Sequence, residues 1–475
     1  MKRIKSTLNV AMWLLLSTFI CGSTIVFTSC GNNTLEEILG TVDNPAPIPT
    51  INFAESEKWW GTMDGKFTLA VTNTGDGVVT YSSSNPSAAS VDPTTGEVTP
   101  GTVTSTTDVI ITATVADSKN ATYPTKTAQY TLKVGKGYRY LTWDETNKKL
   151  VYHFDYPASD NDFIDSSTGA ESKLASGGGV KFVKGNVTIN VTSTDITIGN
   201  DLLLILLDGA KLEINGKLTV ATSKVLSISA QSEGDDKGEL VVKHSKDVID
   251  CKHDMNIYGG KITAESTGTG SYKGINVDNS LNIYGGDVTT KGANATSDGG
   301  GDAIYGPFAG ILITGKAIVN AIGGNSSSNE GGYGVYGNVT VSGEAQLTAT
   351  GGSTEANDYR GGNGILNLTI DDNSYVKAQG GDTNGTELNG GYGVGVQLTY
   401  KGGKFEAYGG KEDNGTKYKW GVCSTLKNLS SAPIVFETST DGTTWPADSK
   451  FTLSAGSSAM VSTTSELQKR GVRRK

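Results

Sequence analysis

The chain has 475 residues and a formal charge of −9. That length exceeds one ordinary core, and the mildly acidic balance argues against a nucleic-acid partner. The N-terminus carries Lys2, Arg3 and Lys5, then an apolar stretch from Leu8 through Ile20 to Phe27. This reads as a secretory signal over residues 1–29 and not as a spanning helix of the mature protein.

The signal ends in Phe27-Thr28-Ser29-Cys30-Gly31. A cysteine after a small residue at this place resembles a bacterial lipobox. The resemblance implies that Cys30 becomes the lipid-bearing N-terminal residue, a stable membrane attachment. Residues 30–50 form a polar tether with Pro45, Pro47 and Pro49 near its end.

Residues 51–134 change pattern. Short strand-like runs, such as Val109-Ile110-Ile111-Thr112-Ala113-Thr114-Val115 and Tyr130-Thr131-Leu132-Lys133-Val134, are separated by turn signals. Such spacing fits a small β-sandwich. Within it, Ser83-Ser84-Asn85-Pro86 leads to Ala89-Ser90-Val91-Asp92 and then Gly96-Glu97-Val98. That wording resembles the bacterial Ig-like domain of group 2 over about 85 residues. The resemblance implies a non-enzymatic spacer or adhesion module. Residues 135–180, with Trp143, Tyr152 and Tyr156, are expected to join the sandwich to a second domain and to cap the start of that domain.

Residues 181–427 repeat. One phrase returns at Met255-Asn256-Ile257-Tyr258-Gly259-Gly260, Leu281-Asn282-Ile283-Tyr284-Gly285-Gly286, Ile311-Leu312-Ile313-Thr314-Gly315, Val339-Thr340-Val341-Ser342-Gly343, Leu368-Thr369-Ile370-Asp371-Asp372 and Leu398-Thr399-Tyr400-Lys401-Gly402. Successive starts differ by 26, 30, 28, 29 and 30 residues. A second piece ends in Ala (Val319 to Ala321, Leu347 to Ala349, Val376 to Ala378, Phe405 to Ala407), with a Gly pair after it. A third sets a small residue before an apolar one: Gly274-Ile275, Ala303-Ile304, Gly334-Val335, Gly364-Ile365, Gly393-Val394 and Gly421-Val422. Period-2 pieces of three to five residues are strands. A fixed period near ~28 residues marks a solenoid. The expectation is an all-β chain: an N-terminal Ig-like sandwich, then a right-handed parallel β-helix of about eight to nine coils. The Gly pairs are expected to supply positive φ at corners. Cys251 and Cys423 lie about six coils apart, roughly 29 Å at strand spacing, and are expected to be buried and unbridged. Residues 428–475 are expected to be a C-terminal cap with a disordered basic tail over 469–475.

The variable loops after the Gly pairs, residues 325–330, 353–360, 382–389 and 411–419, should stack into one ridge, the usual binding side of a repeat protein. The ridge and the coil before it carry Asp298, Asp302, Asp358 and Asp382, along with Glu330, Glu355, Glu387, Glu412 and Asp413. Clustered carboxylates suit Ca²⁺, with a solvated acidic edge as the alternative. Tyr258 with Tyr284, and Tyr305 with Tyr336, hold equivalent positions on adjacent coils; Tyr333, Tyr359, Tyr392, Tyr418 and Trp420 stand in or beside the loops. Exposed ring ladders can stack on sugars, or simply stabilise stacked coils. No Ser/His/Asp set, His cluster or phosphate loop is present. His153, His244 and His253 lie outside the ridge, and Arg360 is the only arginine between Arg139 and Arg470.

The phrase running from Gly274-Ile275 to Leu281-Asn282-Ile283-Tyr284-Gly285-Gly286 resembles the carbohydrate-binding β-helix proteins of the pectate-lyase-like superfamily that lack its catalytic residues. The resemblance covers about residues 240–425 and implies calcium-assisted binding of acidic plant polysaccharide. The resulting expectation is a monomeric, lipid-anchored protein of a bacterial outer membrane, facing the cell surface. It would bind glycan without cleaving it. An adhesin for host glycan or matrix is the nearer alternative, and a polysaccharide lyase or hydrolase the one from a different class.

Overall fold

The structure is a computed structural model, and it describes residues 50–474 except 76, 117–124, 168, 177, 192–194, 384–389 and 413–416. Cys30, the signal and most of the tether lie outside the described residues, as do Glu387 and Asp413. Among the described residues no helix is long and apolar enough to cross a membrane.

The first domain is a set of short sheets. A four-stranded sheet runs in the order Glu57–Gly61, Lys126–Gly135, Thr107–Ala116, Val78–Ser83. A three-stranded sheet of Phe67–Thr68, Glu97–Pro100 and Ala89–Val91 faces a shared core of Leu69, Ala89, Val98, Val109, Ile111, Tyr130 and Leu132. Alternation decides this packing: in Lys126–Gly135 the residues at 130, 132 and 134 are buried while those at 131 and 133 are partly exposed.

The second domain is a parallel β-helix of about eight turns. The repeated phrases pair in register, coil on coil: Met255 with Leu281, Leu281 with Ile311, Ile311 with Val339, Val339 with Leu368 and Leu368 with Leu398. The second pieces do the same, from Ile262 through Val288, Val319, Leu347 and Val376 to Phe405. Their inward side chains form one continuous core, of which Leu281, Leu347, Ile365 and Val376 are completely buried. Each such side chain contributes about 1.5–3 kcal/mol by leaving water. Cys251 belongs to this stack, between Val220 and Val277, and burial pushes its thiol up to about 11. Cys423 is only partly buried and borders a surface cavity, unlike the expected core position.

The coils change shape along the axis. Early coils keep three separate strands: Ile275–Val277 turns through Asp278 and Asn279 into Ser280–Ile283. From Ile304 onward the third piece and the next phrase fuse into single strands, Ile304–Ile313, Val335–Val341, Ile365–Ile370 and Val394–Tyr400. From Val335 onward the sequence explains the fusion: Ile275 and Leu281 are six positions apart, whereas Val335 and Val339 are four and Ile365 and Leu368 three. In Ile304–Ile313 the two pieces are seven apart, and the strand absorbs the extra residues as an irregularity between Gly306 and Gly310. The corner loses its turn, and the long loops at the other corner restore the period.

The glycines divide into two roles. Gly260, Gly286, Gly315, Gly343 and Gly403, at the corner after the phrase, have positive φ. The pairs at 323–324, 351–352, 380–381 and 409–410, where positive φ is expected, do not, which corrects that expectation. They are required by close approach instead: a Cβ on Gly324 would lie 1.7 Å from the Ala293 carbonyl oxygen, and one on Gly352 1.9 Å from that of Gly324. Each loop leaves through one glycine limb and returns through another. Backbone N–H groups bond back and forth between the limbs: Gly332 to Gly324, Gly352 to Gly332, Gly362 to Gly352 and Gly381 to Gly362, all at 2.8 Å.

Residues 138–155 form an antiparallel hairpin, Tyr138–Asp144 with Lys149–Asp155, that lies along the coil corners. Its Leu141 and Trp143 reach Gly259 and Gly315, where a Cβ would stand 3.4 and 3.0 Å from their side chains. The Ser229 hydroxyl donates to the Leu141 carbonyl at 2.6 Å and accepts from its N–H at 3.0 Å. Arg139 joins all three parts. Its Nη1 lies 2.8 Å from Asp64 of the sandwich, its Nη2 3.4 Å from Asp208 of the solenoid, and its Nε donates to the Gln231 carbonyl at 3.0 Å. The Trp60 ring covers the guanidinium at 3.8 Å. The short helix Ala170–Ser176 packs at the first coil, beside the parallel pair Phe163–Ile164 and Gly179–Val183.

At the other end, Gly471–Arg474 is a strand, antiparallel to Lys404–Tyr408 and Ile434–Ser439. The expected disordered tail is therefore corrected to a closing strand. Val472 is fully buried, and Arg473 pairs with Glu437 at 2.7 Å and lies over Trp445.

Candidate functional site

The fused strands present a groove beside the loop ridge. Tyr305 and Tyr336, one coil apart in register, stack at 5.1 Å with 16° between their planes. Tyr333 meets Tyr336 edge-on at 4.9 Å, and the Lys273 ammonium sits 4.7 Å above Tyr305. Farther along, Glu330, Tyr333, Arg360, Asn363, Leu366 and Tyr392 border a cavity of about 240 Å³. A neighbouring trough of about 390 Å³ runs over Asn338, Asn367, Val396 and Gln397, and the two share Val396. The Asn367 amide donates to Asn338 at 3.0 Å, which orders the trough floor. Val396 is 45% exposed, an apolar patch among polar groups. Lys419 lies 4.8 Å from the Tyr392 ring and 5.8 Å from that of Trp420, and burial lowers its pKa.

The expected ring residues thus part company. Tyr305, Tyr336 and Tyr392 gather at the groove, and Tyr359 is exposed on the ridge. Trp420 packs against the end of the core. The Tyr418 side chain lies outside the described part of the structure. Tyr258 and Tyr284 stack on each other at 5.4 Å, but Trp143 of the hairpin stacks on Tyr284 at 4.9 Å and leaves it 7% exposed. That pair is covered and cannot present both rings to a glycan.

The four aspartates are not brought together. Asp302 accepts from the Tyr333 N–H at 2.6 Å; Asp247 and Asn363 do the same for Lys273 and Tyr392. These side chains cap the backbone of the next coil. Burial pushes the Asp302 carboxyl up to about 6, against the Tyr333 hydrogen bond and Lys273. Asp382 belongs to another ladder, in which Asn294, Asn325, Ser353 and Asp382 each accept from the N–H one coil on, ending at Lys411. Asp298 and Asp358 are exposed. Among the described residues no group of three or more His, Cys, Asp or Glu side chains could hold a metal ion. Among the described residues, Asp298, Asp302, Asp358 and Asp382 do not converge on one point.

Sequence reasoning missed Asn338, Asn367, Val396 and Gln397. Their signal was the outward alternation of the fused strands, hidden by register shifts after Val335 and Ile365. The chain matches no protein-family model and no curated protein.

Proposed function

We propose that this chain is a lipid-anchored cell-envelope protein whose solenoid binds polysaccharide in the loop-side groove without cleaving it. The observation that supports this reading is the continuity of the groove: stacked Tyr305 and Tyr336, then Tyr333, Arg360 and Tyr392, then the polar trough. Rings offer apolar faces to sugar rings, and amide side chains offer bonds to hydroxyls. Arg360 in the wall, with Lys273 and Lys419 held against rings, favours an acidic glycan. The sandwich serves as a group 2 Ig-like stalk, and the buried Arg139 cluster makes its junction with the solenoid stiff. Cys30 carries the lipid, and the groove faces outward from a bacterial outer membrane.

The test uses the chain without its first 30 residues on immobilised polygalacturonate, xylan and chondroitin sulfate, with calcium and with chelator. Retention and released reducing or unsaturated ends are scored together. Retention without product, weakened about tenfold by Arg360→Ala, is the expected result. Product release would make the groove an active site and end the non-catalytic reading.

A further inference from the structure

A second cavity lies on the corner side of the solenoid, under the hairpin. The corner position after the phrase holds Tyr258 and Tyr284 on adjacent coils, then Thr314, Ser342 and Asp371 on the coils beyond. Two tyrosines stack, and the next coil offers no ring of its own. Trp143 supplies it: the indole stacks on Tyr284 at 4.9 Å with 22° between planes, against the Gly315 corner. The column of rings stops there. Beyond it, a cavity of about 540 Å³ continues over Gly315 and Gly343, bordered by Trp143. That volume is in the range of small-molecule sites.

The walls are charged but balanced. Lys148, Lys149 and Lys316 stand with Glu233, Glu344 and Asp372, three cations and three carboxylates. A uronate or phosphate would meet three like charges, and so would a cation. A flat hydrocarbon ring would strip water from these groups without replacing their hydrogen bonds. A neutral sugar avoids both costs. Its apolar face suits the indole, and its hydroxyls can accept from lysines and donate to carboxylates.

We infer that this cavity binds one sugar unit of a neutral polysaccharide, stacked on Trp143 as the next ring of the Tyr258–Tyr284–Trp143 column. The site is separate from the loop-side groove and differs from it in charge. A chain held at both places would gain avidity by linkage alone.

Affinity electrophoresis of the full chain tests this, in gels containing galactomannan, xylan, mixed-linkage β-glucan or polygalacturonate. At least one neutral gel should retard the protein. Ser342→Tyr places a ring on the next corner and extends a column the fold already carries. It gives up the Ser342 hydroxyl's hydrogen bond to Thr314 at 2.9 Å, so melting is measured alongside, and in the folded variant retardation should weaken at least about tenfold. Trp143→Phe, which keeps a ring on Tyr284, should weaken it less. Tyr336→Ala, in the groove, should leave it intact while lowering retardation by polygalacturonate, so the two sites fail separately. Passage through all three neutral gels without retardation overturns the inference. So does retardation that Ser342→Tyr leaves unchanged.

Discussion

The two tyrosine pairs look alike in the sequence and differ in what lies over them. Tyr258–Tyr284 and Tyr305–Tyr336 are each one coil apart, and each stacks near-parallel, at 5.4 and 5.1 Å. The first is roofed by Trp143 and linked to Glu145 by the Tyr284 hydroxyl at 3.4 Å. The second is partly exposed beside a cavity. Repetition places a ring, but non-repeating chain decides whether it is glue or surface. Residues 138–155 are therefore the element to perturb first.

The largest effect should come from the joint that holds the hairpin and sandwich to the coils. Arg139 is 5% exposed, and the side chain of Asp64 is wholly enclosed. Arg139→Ala leaves Asp64 buried with one fewer partner and Asp208 without its cation. A loss of about 3–5 kcal/mol is expected, read by thermal melting. Limited proteolysis should then cut the hairpin before the coils. If the hairpin stays protected, the roof is held by other contacts and the comparison loses its cause.

Next in size is the glycine double column, which exists only in the half with the open groove. Gly352→Ala puts a Cβ 1.9 Å from the Gly324 carbonyl oxygen. Backbone must move, and a loss of roughly 3 kcal/mol is expected. Gly199→Ala is the control, because nothing lies within 4 Å of its Cβ; its melting temperature should hold.

The ring pairs then test the comparison directly. Tyr284→Ala should cost about 3 kcal/mol of stability and leave polygalacturonate retention unchanged. Tyr336→Ala should cost under about 1 kcal/mol and weaken retention about tenfold. Equal stability losses from both would mean that the second pair is glue as well.

The solenoid was legible because its period survives every loop. Apolar spacing alone put Leu281 over Met255 and Val376 over Leu347. Glycine roles were less so. Gly286 and Gly324 look the same on paper, yet one has φ +81° while at the other an added Cβ would stand 1.7 Å from a carbonyl oxygen. Only three-dimensional stacking separates conformational need from lack of room. The closing strand was hidden because Arg473 and Arg474 read as solvated charge. Its burial depends on Glu437 and Trp445, 36 and 28 positions upstream. At the groove, equivalence between coils found Tyr305 and Tyr336. It could not find Val396, which the register shift turns outward. The aspartates misled for a physical reason: an Asx side chain caps a neighbouring N–H as readily as it binds an ion.

One such cap, Asp302, should give an effect confined to a narrow pH window. Its carboxyl titrates near 6 in the folded chain, whereas an ordinary aspartate titrates near 3.8. Its folded pKa is raised, so folding favours the protonated form. The resulting stability is fully present below about pH 4 and is lost as pH rises through about 6. A two-unit difference corresponds to at most about 3 kcal/mol, with the opposing hydrogen bond from Tyr333 and the charge of Lys273 already contained in it. Melting temperature measured between pH 4 and 7 should fall for the native chain relative to Asp302→Asn, whose amide oxygen still accepts from Tyr333 and cannot titrate. Parallel curves would show that Asp302 is solvated enough to ionise freely.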